Sequence, residues 1–370
     1  MKVLVAFGTR PEAIKMLPLV LELKKVTEIE TIVLSTGQHK EMLKPIFNIF
    51  GVKPDYDLDI MKENQTLVDV FTNVLNKSDI ILKEEKPDLV LVHGDTSTAF
   101  AMGLSAFYNQ IKVGHIEAGL RTYDKYSPYP EEMNRKLLSS IADYHFAPTD
   151  LNKKNLENEG IKENIFVTGN TVIDALKYCI DDEYSFNDKL IDKFLNEKNI
   201  KILLTVHRRE NLGDNMYSIF SAIKEIVELH QDIEVIYPMH LNPKVREIAY
   251  DVLSNVRNVY LVEPIEYKEF CNLMNKVDII MTDSGGLQEE APALNKPVLV
   301  LRKETERPEG ITAGTIKLIG VNKVEIVKEI EKLLFDKSEY YKMKNSINPY
   351  GDGFASKKIV DIIKKMLIKI

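Results

Sequence analysis

Short, wholly apolar runs alternate with longer amphipathic segments along most of the chain, and this alternation restricts the fold more than any other feature. An apolar run without polar alternation reads as a strand covered on both faces, and such strands occur where helices cross between parallel neighbours. The pattern predicts strands near residues 3–7, 31–34, 89–92, 113–116, 144–147 and 165–167. A second set is predicted near residues 202–206, 233–237, 259–262, 279–281 and 298–301. A charged stretch, 181–199, interrupts the pattern and reads as a hinge. At 370 residues the chain exceeds one ordinary α/β core. The expected architecture is therefore α/β: two doubly wound, Rossmann-like domains facing a cleft. The first would span 1–172 and the second 173–353, with a terminal helical segment, 354–370, crossing back to the first.

Composition removes several function classes. A net charge of -7 argues against a general nucleic-acid or membrane surface, which would need a basic excess. No apolar run reaches the roughly 20 residues that a bilayer crossing requires, and the apolar start, Val3 to Phe7, is cut off by Gly8 and an Arg10-Pro11 turn as a buried strand would be. The two cysteines, Cys179 and Cys271, stand in no metal-binding spacing and read as buried free thiols of a reducing, cytoplasmic compartment. No metal or cofactor is expected.

In an open parallel sheet, ligands bind beyond the carboxyl ends of the strands, so the residues that follow each run carry the chemistry. After the first run come Gly8, Thr9, Arg10, Pro11 and, one helical turn on, Lys15: a cationic helix start suited to an anion, although solvated charges on a plain turn would look similar. The run ending at His93 is followed by Asp95 and Thr96. Either can cap the next helix, and if Thr96 does so Asp95 is left for acid–base work. Glu117 follows the next run, which would set it beside Asp95, and Glu131 and Glu132 open a further helix whose dipole both suit. If Glu131 points inward, like-charge repulsion can keep one carboxyl protonated. In the second half, His207, Arg208 and Arg209 follow a buried run. Asp283-Ser284-Gly285-Gly286 forms a turn whose amides can cradle a diphosphate, and Glu290, one turn on, can accept hydrogen bonds from ribose hydroxyls. Walker-type and G-x-G-x-x-G loops are missing.

Taken together, G-T-R-P-E-A-I-K-M, V-L-V-H-G-D-T, G-H-I-E-A-G-L-R-T, S-P-Y-P-E-E-M-N-R, H-R-R-E-N, D-S-G-G-L-Q-E-E and T-E-R-P-E-G (305–310) resemble the non-hydrolysing UDP-N-acetylglucosamine 2-epimerases from end to end. The resemblance implies the glycosyltransferase-B architecture, a homodimer and UDP held in a closed cleft between the domains. It implies Asp95, Glu117 and Glu131 as catalytic carboxylates, with Lys15 and His207 essential beside the diphosphate. Arg10, Arg209, Ser284, Gly285, Gly286, Glu290 and Arg307 would bind substrate. The implied partners are UDP-N-acetylglucosamine and UDP-N-acetylmannosamine. The implied reaction eliminates UDP to 2-acetamidoglucal and adds it back with C2 inverted, supplying mannosamine derivatives for surface glycans.

A second, activating UDP-N-acetylglucosamine is bound in regulated members by residues that correspond here to Gln38, Glu41, Asn64, Glu131, Arg208 and His240. Glu41 stands in place of a Gln and Asn64 in place of an Arg, so the effector site is expected to be weakened. Among rival readings, a glycosyltransferase of the same architecture has no use for a carboxylate cluster, and a hydrolysing epimerase would release free N-acetylmannosamine and UDP. A non-catalytic nucleotide-sugar sensor would bind without turnover. The G-T-R-P-E form of the first motif favours the non-hydrolysing branch.

Overall fold

Val3, Leu4, Val5 and Phe7 of β1 (Lys2–Phe7) are all fully buried, as an apolar run with helices on both faces requires. Each such side chain contributes roughly 1.5–3 kcal/mol by leaving water. The structure, a computed structural model, describes residues 1–62 and 64–367. The chain forms two units, Met1–Tyr178 with Tyr350–Ile370, and Cys179–Pro349.

In the first unit β1 is joined by β2 (Glu30–Ser35), β3 (Tyr56–Asp57), β4 (Leu89–His93), β5 (Lys112–Ile116), β6 (Tyr144–Ala147) and β7 (Ile165–Val167). All pairings are parallel, in the order β3-β2-β1-β4-β5-β6-β7. The order reverses between β1 and β4, which opens a crevice at their carboxyl ends. Thr9 caps the helix Arg10–Lys24 in a capping box with Glu12, and Pro11 lies in its first turn, where a missing N–H costs nothing.

The second unit has β8 (Ile200–Thr205), β9 (Ile233–Pro238), β10 (Val259–Val262), β11 (Ile279–Thr282), β12 (Val298–Val300) and β13 (Ile316–Leu318), again all parallel, in the order β10-β9-β8-β11-β12-β13. Its reversal lies between β8 and β11. Tyr237, Phe220, Met216 and Leu204 lie in one apolar cluster of its core.

The fold contains three elements that the apolar pattern does not announce. β3 has only two residues, and in the three-residue β13 a lysine, Lys317, interrupts the apolar run. The helix Lys189–Asn196 lies inside the charged stretch; it buries only Ile191 and Phe194, and its other positions are mostly polar. The chain leaves the first unit ahead of that stretch, after Tyr178. From Tyr350 onward it belongs to the first unit again. There Asp174 accepts hydrogen bonds from Ala355 N (3.1 Å) and Ser356 N (2.7 Å), capping the terminal helix Ala355–Leu367 from a distant part of the chain. No helix among the described residues is long and apolar enough to cross a membrane.

Candidate active site

In the first unit the side chains of interest follow β1, β4 and β5, two of which flank the reversal of strand order. Thr96 is the N-cap of the helix Ser97–Tyr108 and accepts from Ala99 N at 3.0 Å, so Asp95 does not cap it. Instead the Asp95 carboxylate meets the Arg135 guanidinium at 3.1 Å, and its backbone carbonyl accepts from Asn134 Nδ2 at 2.9 Å. Burial pushes the Asp95 carboxyl up to about 6; Arg135 pulls it down, while Glu117 and Glu131 push it up. At neutral pH the group is mostly charged but within reach of its protonated form, the poise that a proton-transferring carboxyl needs.

Glu117 sits directly after β5 with φ of 62°, a left-handed conformation unusual for a side chain of its size. Its carboxylate is ion-paired with Lys15 and accepts from Asn170 Nδ2 at 2.7 Å, with His93 Nε2 3.6 Å away. Burial holds the His93 imidazole down at about 4, opposed by Glu117 and reinforced by Lys15, so the ring is neutral. Glu131 and Glu132 divide their roles. Glu132 is fully buried and accepts from Thr122 N and Tyr123 N, both at 3.0 Å, which fixes the loop after β5. Glu131 Oε2 is buried and accepts no hydrogen bond among the described residues. It lines a cavity of about 340 Å³ together with Thr9, Gln38, Thr96 and Asn134. A buried oxygen in that state costs stability unless a ligand or solvent donates to it, so the Glu131 carboxylate can accept a hydrogen bond from a polar group in this cavity.

Arg10, the first residue of its helix, is partly buried. Gln38 accepts from Thr98 Oγ1 at 2.7 Å. Glu41 and Asn64 are exposed; Glu41 is paired with Lys44 at 3.2 Å, and Asn64 occupies a turn at φ 55°. Glu12 joins the site unannounced. Its buried carboxylate accepts from Gly8 N (3.1 Å), Thr9 N (2.7 Å) and Thr96 Oγ1 (2.7 Å), tying the turn after β1 to the turn after β4. The T-x-x-E spacing of a capping box was its sequence signal.

In the second unit the corresponding groups follow β8 and β11. Asp283, fully buried at the end of β11, accepts from His207 N (3.0 Å), Arg208 N (2.9 Å) and Asn211 Nδ2 (3.0 Å). One carboxylate thus shapes the whole turn after β8, and its Oδ1 also lies 3.4 Å from His207 Nδ1. Burial lowers the His207 imidazole; Asp283 opposes this, and His240 and Arg208 add to it. The His207 and His240 rings stack at 5.5 Å. Arg208 extends towards the Gly-rich turn, where a methyl group on Gly285 would lie 3.5 Å from its guanidinium. Glu290 is buried one turn beyond Gly286, with Tyr267 donating to it at 3.0 Å. Arg307 is ion-paired with Glu289, whereas Arg209 and His240 are exposed. Ser284 N bonds back to Thr282 Oγ1 at 2.9 Å, which sets the start of the turn. Asp283 and Tyr267 had no local signal: each matters through a partner remote in sequence.

Two wholly parallel, doubly wound units in one chain, each with its polar residues at the reversal of strand order, are the components of the glycosyltransferase-B class of α/β proteins. The family model for UDP-N-acetylglucosamine 2-epimerase matches residues 21–364. UDP-N-acetylglucosamine 2-epimerase of Bacillus subtilis is 54% identical over 362 residues, 98% of this chain and 94% of that protein. The crystal structure of a putative UDP-N-acetylglucosamine 2-epimerase from Listeria monocytogenes superposes with a TM-score of 0.93 at 51% identity, covering 100% of this chain and 97% of that one. The Neisseria meningitidis UDP-GlcNAc 2-epimerase, solved bound to UDP-GlcNAc, gives a TM-score of 0.88 at 49% identity, covering 99% and 100%. The chain belongs to the UDP-N-acetylglucosamine 2-epimerase family.

Proposed function

We propose that this protein interconverts UDP-N-acetylglucosamine and UDP-N-acetylmannosamine, eliminating UDP to 2-acetamidoglucal and adding it back without releasing free sugar. The observation that carries the reading is the pair Asp95 and Glu117 at neighbouring strand ends, with the orphaned oxygen of Glu131 close enough to raise the Asp95 carboxyl. The C2 proton of the sugar is not acidic, so its removal has to be coupled to departure of UDP. Asp95 and Glu117 serve as the proton-transferring groups on the two faces of C2, and Glu131 supports them. Lys15, Arg10 and His207 take up charge on the departing diphosphate. The amides of Ser284, Gly285 and Gly286 hold UDP with Arg209 and Arg307, while Glu290, oriented by Tyr267, accepts from ribose hydroxyls. The protein would act in the cytoplasm as a homodimer and feed mannosamine derivatives into surface glycans.

The test is proton NMR of UDP-N-acetylglucosamine with the protein in deuterated water. Deuterium is expected at C2 of both nucleotide sugars, with no free N-acetylmannosamine. Asp95→Asn and Glu117→Gln should each abolish exchange and turnover while still binding UDP. Near-normal turnover in either variant, or accumulation of free sugar, would overturn the assignment.

A further inference from the structure

The helix Glu131–Ile141 carries Glu131, Glu132 and Arg135 on its first turns, and spacings of three and four residues set Arg135 beside both acids. Arg135 is itself buried, its side chain 9% exposed. Its Nε donates to the Glu131 carbonyl at 3.3 Å and lies 3.6 Å from Glu132 Oε2, while its Nη2 lies 3.1 Å from Asp95 Oδ2. The next residue back, Asn134, holds the Asp95 carbonyl. One helical turn therefore grips Asp95 by side chain and backbone together.

Glu132 has no need of this cation for satisfaction, because two backbone N–H groups already serve its oxygens. A buried ion pair is also a poor source of stability compared with apolar packing. Arg135 thus has its distinctive effect at Asp95. The charged groups facing that carboxylate are Arg135 and Glu131 from this helix, Glu117 from the end of β5 and Lys15 from the helix Arg10–Lys24. Lys15 is already engaged by Glu117. Arg135 is the cation in direct contact with Asp95.

We propose that Arg135 is a positioning residue for Asp95: anchored beside Glu132, its guanidinium fixes the orientation of the Asp95 carboxylate and keeps it charged in the company of Glu117 and Glu131. The proposal rests on the proton-transferring role given to Asp95 above. A forked guanidinium constrains both direction and charge, which an ammonium does only in part. Since burial already drives the Asp95 carboxyl towards its neutral form, removing Arg135 moves its titration further up and drags the acidic limb of the rate profile with it.

The experiment is kcat/KM for UDP-N-acetylglucosamine between pH 5.5 and 9 in Arg135→Met, Arg135→Lys and Glu132→Gln, with Asp95→Asn alongside and melting temperatures for all. Arg135→Met is expected to shift the acidic limb upward by about one pH unit from the wild-type value near 6, so that activity falls about threefold at pH 6.5, approaches a tenfold loss at pH 5.5 and recovers at alkaline pH. The loss should fall on kcat rather than KM. Arg135→Lys should lie between wild type and Arg135→Met, and Glu132→Gln, which loosens the anchor only, should shift the limb in the same direction by less. If Arg135→Met does not fold, the Lys and Gln variants carry the same test. A uniform loss at every pH with an unmoved limb, while Asp95→Asn is inactive, would overturn the role of Arg135 alone. A fully active Asp95→Asn would overturn the Asp95 assignment and this proposal with it.

Discussion

Asp283→Asn isolates what one buried carboxylate does for the turn after β8. Oδ2 accepts from His207 N, Arg208 N and Asn211 Nδ2 at 2.9–3.0 Å, and Oδ1 lies 3.2 Å from His207 N and 3.4 Å from His207 Nδ1. The amide keeps the shape but not the charge. A hydrogen bond to a charged acceptor contributes about 1.5–3 kcal/mol and one to a neutral acceptor about 0.5–1.5, so three bonds lose roughly 3 kcal/mol together. Whichever way the amide is turned, its NH2 also faces a backbone donor where an acceptor stood. Urea unfolding at neutral pH should show this loss in the midpoint at an unchanged slope. Because the same bonds hold His207 and Arg208 in place, calorimetric titration should show UDP binding weakened at least tenfold, about 1.4 kcal/mol. Stability within 0.5 kcal/mol of wild type and an unchanged UDP affinity would refute the reasoning, because the turn would then be set by something other than Asp283.

Stability should also fall in mild acid. Burial depresses the His93 and His115 rings to about 4 and about 3, so the fold excludes protons that the unfolded chain binds below about 6.5; the contribution is complete above that pH and is lost as pH drops towards the folded values. At pH 5 each ring then costs about 2 kcal/mol, which urea midpoints at pH 7.5 and 5 in wild type and His115→Phe should reveal as a smaller pH dependence in the variant. Asp174→Ala should remove the cap of the helix Ala355–Leu367 and cost roughly 1–2 kcal/mol, with faster limited proteolysis after Tyr350; an unchanged cleavage rate would contradict the cap. At the expected effector positions Glu41 is paired with Lys44 at 3.2 Å and Lys40 with Asp59 at 2.9 Å, so neither of these lysines stands in for the Arg that Asn64 replaces. Losing one charge-assisted bond should weaken a second UDP-N-acetylglucosamine about tenfold to a hundredfold, and progress curves begun with pure UDP-N-acetylmannosamine should start without a lag; a trace that stays flat until UDP-N-acetylglucosamine is added would show the site to be intact.

Most strands of the two sheets were legible because their central residues are buried on both faces and therefore apolar, whereas the short β3 and β13 were not, and most candidate residues stand just after such runs. Local chemistry offered Asp95 and Thr96 alike as the cap of the helix after β4, and only the folded chain shows that Thr96 takes it. What periodicity could not supply was any interaction between residues remote in sequence. Asp283 and His207 are 76 residues apart, and only the adjacency of β8 and β11 brings them together. Arg135 meets Asp95 only because the helix Glu131–Ile141 packs against the helix that follows β4. Neither acid of the Glu131-Glu132 pair could be singled out from its helix-dipole preference, since both satisfy it; the distinction lies in the Thr122 and Tyr123 amides, which reach one carboxylate and not the other.

Glu117 shows where local rules and function part company. A glutamate held at φ 62° pays a conformational penalty on the order of 1–2 kcal/mol, which Gly would avoid and Asn would reduce. Stability alone would favour either of those residues at the end of β5. The side chain that is present instead reaches Lys15 from one element and Asn170 from another, and Asn170 N in turn bonds to the Tyr350 carbonyl at 2.7 Å, where the chain rejoins the first unit. Those partners hold the carboxylate, while backbone hydrogen bonds such as Ala118 N to the Phe146 carbonyl at 3.1 Å tie down the turn itself. Lys15 and Asn170 converge on the carboxylate rather than on the turn, so the strain is explained by the need for a carboxylate at that point and not by any requirement of the sheet.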